Sequence, residues 1–150
     1  MGRLFTVIEN DTIRLLRECD AGVDMGVSAI ADVMDKVGAQ NLKMILNRCK
    51  SEHEKLKTEI ELLLNSYHDE GKEPSPVAKG MSWIKTNVKM AADDSDATAA
   101  DILTTGCDMG TKSLSKYLNQ YKAADEKSKD IAKRLIKIEE DLRSDLRQYL

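Results

Sequence analysis

Apolar residues recur along this chain at alternating steps of three and four, the spacing of an amphipathic helix. The first stripe runs Ile13, Leu16, Val23, Val27, Ile30, Met34, Val37, with Asp20 standing at a seam position. Asn10 or Asp11 is the natural cap for its start, and Gly38 stops it. A second stripe follows almost at once: Leu42, Ile45, Cys49, then Glu52 or His53, then Leu56, Ile60, Leu63, Tyr67. So short a turn predicts an antiparallel hairpin. Residues 68–76, with two Pro and a Gly, read as a linker. Val77, Met81, Ile84 and Val88 are spaced for one face of a short helix, with Trp83 beside it. One of the acids in residues 91–96 is expected to cap a third helix carrying Ala100, Thr104, Cys107, Thr111, Leu114, Leu118 and Tyr121. A fourth carries Ile131, Leu135, Ile138, Leu142, Leu146 and Tyr149.

The two hairpins repeat one another. Asp24-Met25-Gly26 recurs as Asp108-Met109-Gly110, a shift of 84, and the second stripe maps onto the fourth with a shift of 86. The pattern therefore predicts one all-α domain over residues 1–150, a four-helix bundle of two duplicated antiparallel hairpins (about 11–67 and 98–150) joined by a long crossover (about 68–97) that contains a short helix.

Composition narrows the function classes. The chain is 33% charged and only 4% aromatic, with a net charge of -3. Acids and bases alternate, so no basic footprint for nucleic acid exists. No apolar stretch has membrane-spanning length. The apolar residues near the start, Leu4, Phe5, Val7 and Ile8, are too few for a signal peptide. Three cysteines on helical stripes argue for a reducing cytoplasm and for small apolar fillers in the core.

Folding each hairpin about its turn sets Asp24 level with His53 and Asp108 level with Glu139. The repeat shift independently maps His53 onto Glu139. Asp20, Asp24, His53, Asp108 and Glu139 are thus candidate ligands for a hard metal in one interior layer. The competing expectation puts them on the flanks of the stripes, paired with Lys55, Lys112 or Arg143. No Gly-rich phosphate loop, His-Glu-x-x-His helix or nucleophile elbow is present.

Cys19-Asp20, then Lys79-Gly80-Met81-Ser82-Trp83, then Gly106-Cys107-Asp108-Met109-Gly110 resemble segments of bacterial ferritin-like four-helix-bundle domains of unknown function. The resemblance spans about residues 11–149 and implies a ferritin-like fold, with iron or manganese as the metal a carboxylate layer would take. The chain departs from the di-iron members: it has no Glu-x-x-His. The leading expectation is accordingly a non-enzymatic bundle without catalytic residues. It would act by oligomerisation, as a dimer first, or by binding a protein partner through Trp83, Met81 and Ile84. Degenerate metal binding is the alternative.

Overall fold

The computed structural model describes residues 2–69 and 94–150, and the side chains of 6–69 and 94–150. They form four long helices: α1 Gly2–Met34, α2 Gln40–Ser66, α3 Asp96–Gln120 and α4 Glu126–Leu146, with a 3-10 turn at Arg147–Tyr149. The short crossover helix, with Trp83, Met81 and Ile84, lies outside the described residues.

The helices bury one stripe each around a continuous core. Leu15, Leu16, Ile30, Leu42, Leu46, Ile60, Leu114, Ile131, Leu135 and Leu146 are essentially sealed from solvent. These large aliphatics supply the main driving force for closing the bundle. Most stripe residues face inward as the periodicity predicts. In α3 the buried positions include Leu103, Gly110 and Tyr117 in place of the expected Thr104, Thr111 and Leu118, and in α4 Glu139 is buried while Ile138 sits half-buried beside it.

Two helix starts differ from the sequence expectation. The first helix does not begin at Asn10 or Asp11 but runs unbroken from Gly2. Asp11 instead accepts a hydrogen bond from the Ala123 amide at 3.0 Å, in the turn of the other hairpin. The third helix is capped by Ser95 and not by an acid, its hydroxyl accepting from the Thr98 amide at 3.2 Å. Asp96 is thereby free to reach across to the first hairpin, where it accepts from the Gly38 and Ala39 amides at 2.7 and 3.0 Å. At the opposite end Thr12 accepts from the Asp125 amide at 2.9 Å.

These cross-links fix the directions of the helices. The α1–α2 turn shares an end with the start of α3, and the α3–α4 turn shares an end with Asp11 and Thr12. So α1 and α4 run one way, α2 and α3 the other. The chain leaves α2 at Asp69, tied to Arg17 with Nε at 3.1 Å from Oδ1. His68, at φ 57°, takes the left-handed residue that ends the helix and turns Asp69 inward. The chain resumes at Asp94, beside Lys36 near the end of α1. Residues 70–93 therefore connect opposite ends of the bundle.

The turn contacts carry a test. Asp96→Ala removes two charge-assisted acceptors from the first turn and is expected to cost about 1–2 kcal/mol, read as a shift in urea midpoint with unchanged slope. Loss of less than a few tenths would mean that the Gly38–Ala39 turn holds without its latch.

Candidate functional site

The candidate site is the level of the bundle where the repeated Asp-Met-Gly segments meet α2 and α4. Gly26 sits opposite His53, and a Cβ placed on it would lie 2.5 Å from His53 Nε2. Gly110 sits opposite Glu139, and a Cβ there would overlap the Glu139 carboxylate outright. Each glycine is a slot cut into one helix so that a polar side chain of the next can enter the core.

His53 and Glu139, equivalent under the shift of 86 in the sequence, thereby meet in the interior between α2 and α4. They are 1% and 5% exposed, and His53 Nε2 stands 3.7 Å from Glu139 Oε1. On its other side the imidazole Nδ1–H donates to the Cys49 carbonyl at 2.8 Å and lies 3.5 Å from the Cys49 thiol. Nε2 and Glu139 Oε2 have no hydrogen-bond partner. Both line a cavity of about 20 Å³ shared with Gly26, Gly106 and Cys107. That volume admits one water-sized group.

The outer members of the layer are placed differently. Asp24 and Asp108 are 47% and 53% exposed and form ion pairs on the bundle flanks. Lys57 Nζ reaches Asp24 at 2.7 Å and Asp20 at 3.1 Å, with Glu61 at 3.4 Å. Arg143 Nε reaches Asp108 at 2.6 Å. Of the five sequence-predicted residues the structure brings only His53 and Glu139 together in the core, while Asp20 and Asp24 share Lys57 on the flank. It holds Asp20, Asp24 and Asp108 on lysine and arginine instead. Among the described residues, no group of three or more His, Cys, Asp or Glu side chains stands in metal-holding geometry.

Lys57 and Arg143 were not singled out from the sequence beyond Arg143 as a flank partner, yet the shift of 86 maps one onto the other. The same shift maps Arg48 onto Arg134 and Glu59 onto Asp145, which pair crosswise. Arg48 meets Asp145 at 3.3 Å and Arg134 meets Glu59 at 2.6 Å. Gly22 also maps onto Gly106, so the repeated unit is Gly-x-Asp-Met-Gly. The signal lay in applying one shift to every charged and glycine position. Glu18 is a further buried carboxylate, 8% exposed, that its helical stripe did not reveal. Burial pushes it up, against the Tyr117 hydrogen bond that holds it down.

The electrostatics of the buried pair follow from its surroundings. Burial disfavours imidazolium, but contacts to Cys49 and Glu139 outweigh it and raise His53 from 6.5 to about 10. Burial raises the Glu139 carboxyl, opposed by His53. The two groups titrate as one unit that keeps a proton and stays neutral overall. Asp20 is likewise raised by burial and restrained by Lys57.

Compared with protein-family models, with curated proteins and with solved structures, the chain matches none.

Two outcomes are expected. Because the folded pair holds a proton that the unfolded chain releases near the ordinary histidine value of 6.5, its stabilisation is full below that pH and is lost as pH rises towards 10. Stability measured by denaturant titration across this window should fall in the native protein and flatten in His53→Gln. Gly110→Ala should cost about 1–3 kcal/mol through overpacking against Glu139. Gly22→Ala, whose Cβ would only touch Leu135 at 3.4 Å, should be neutral or stabilising in the same melt.

Proposed function

We propose that this protein is a non-enzymatic, ferritin-like helical bundle that acts by associating with a second copy of itself. The ferritin-like reading is supported by the helix directions, α1 with α4 and α2 with α3, and by the single long connection between the pairs. Its working compartment is the reducing cytoplasm, in keeping with three buried cysteines that are all free. None of the described helices is long and apolar enough to cross a membrane.

The observation that carries the reading is on the outer ridge of α2. Met44 and Leu62 are 68% and 67% exposed, the largest values among the big apolar side chains described. They are 18 residues apart, five turns of helix, and so lie on one line. Between them on the same ridge stand Arg48, Ser51, Lys55 and Thr58, all exposed. Set antiparallel against itself about the level of His53, this ridge places Met44 over Leu62, Arg48 over Thr58 and Lys55 over Ser51. Long side chains meet small ones, and each apolar end meets its opposite. That is what an isologous helix contact requires. The five-residue polar layer does not ask for chemistry, because its charges are already matched within the chain.

Native mass spectrometry and sedimentation velocity test this directly. A dimer is expected at micromolar to tens of micromolar protein, a range corresponding to about 6–8 kcal/mol of association. Met44→Glu with Leu62→Glu should return it to monomer without lowering thermal stability. A wild-type protein that stays monomeric through this range, or a dimer indifferent to both substitutions, would sink the reading.

A further inference from the structure

His53 and Glu139 each turn one unpartnered polar atom into the core, Nε2 and Oε2. These are also the atoms nearest to where a Cβ on Gly26 and on Gly110 would stand. So Nε2 faces α1 and Oε2 faces α3. The two residues are 1% and 5% exposed, and an unpaired polar group at that depth carries its full desolvation penalty. Direct contact within the pair does not relieve it. Nε2 stands 3.7 Å from Glu139 Oε1, beyond the roughly 2.7–3.2 Å of an N–H···O hydrogen bond.

All four helices contribute to a cavity of about 20 Å³ at this level. Met25 and Gly26 of α1 and Gly106 and Cys107 of α3 line it with His53 and Glu139, and the rest of its wall is aliphatic. A water molecule needs about 10–15 Å³ of such space, so the cavity holds one and nothing much larger.

The protons of the pair decide what kind of molecule fits. The Nδ1–H is taken by the Cys49 carbonyl at 2.8 Å. One further proton remains with the pair. When it sits on His53, Nε2–H donates and the carboxylate accepts. When it sits on Glu139, the carboxyl donates and Nε2 accepts. In both cases a molecule between them must accept one hydrogen bond and donate another. An ammonium ion has no lone pair to offer, and a halide has no proton. A metal ion needs the lone pairs of both groups and so the loss of that proton. It also finds no group of three or more His, Cys, Asp or Glu side chains to hold it among the described residues. Water meets both demands at the available size.

We infer that the bundle interior binds one water molecule, held between His53 Nε2 and Glu139 Oε2. The water accepts from one group and donates to the other, and by turning over it reverses both bonds. The shared proton can therefore rest on either side chain without stranding a donor or an acceptor. The Cys107 thiol on the cavity wall is a third, weaker partner. This molecule is part of the core in the same sense as a side chain, and its place does not depend on the association proposed above.

Two measurements test this. A high-resolution crystal structure of the native protein is expected to show one ordered peak at about 2.7–3.2 Å from both Nε2 and Oε2. Oxygen-17 magnetic relaxation dispersion, which counts long-lived internal waters in solution, should find one fewer when His53→Leu is combined with Glu139→Leu. That double change removes both polar partners without leaving either charge alone, and an apolar cavity stays dry. Closure of Nε2 onto a Glu139 oxygen, with no density between them, would overturn the inference. So would anomalous scattering that marks the peak as a metal, or a water count unchanged in the double variant. The crystal measurement needs no variant to fold.

Discussion

An acid and a base that meet inside an apolar bundle must settle their charges between themselves. His53 and Glu139 do so between α2 and α4, and much of the surrounding sequence serves that meeting. Gly26 and Gly110 clear the space, each at a cost of about 1 kcal/mol in helix propensity. The Cys49 carbonyl fixes one imidazole nitrogen so that the other faces the carboxylate. Removing either partner leaves the other buried and uncompensated, which is far more damaging than replacing both. The pair is therefore a constraint on register first: a helix rotated or slid by one turn would strand a charge in the core.

The remaining charges of the layer lie outside this constraint. Asp24 with Lys57 and Asp108 with Arg143 are half-exposed pairs of the kind that add little stability in water. Their value is geometric, since each ties the middle of one helix to its hairpin neighbour. The same holds across the hairpins for Arg48 with Asp145 and Arg134 with Glu59. Lys57 carries more than a surface pair does, because two carboxylates and a third nearby converge on a single ammonium group. That arrangement satisfies Asp20, the acid that the helical stripe placed at a seam position.

How much of this was legible in the sequence can be argued residue by residue. The four helices, their pairing and the level of His53 with Glu139 followed from period and repeat alone, because burying a stripe leaves few alternatives. The start of α1 did not, because Asp11 has a capping residue's chemistry and uses it on another hairpin's turn. Helix rotation was the other limit. Asp24, Asp108 and Glu139 look alike in the sequence, and a small turn about the helix axis decides which reach solvent. The glycine slots carry that information: a residue facing Gly26 or Gly110 enters the core, and one beside a lysine or arginine at the equivalent position of the repeat does not. Crossover residues Trp83, Met81 and Ile84 lie beyond the described structure, so the contact patch expected there is neither supported nor displaced by the α2 ridge.

The position of the buried pair has a consequence for how such a bundle can come to exist. Two separate, identical hairpins related by a true twofold can only present an on-axis residue to its own copy, acid to acid or imidazole to imidazole. Joining the halves in one chain lifts that restriction, since each half can then change alone. A histidine facing a glutamate at positions equivalent under the sequence repeat is an arrangement open to a single fused chain and closed to a symmetric homodimer of its half.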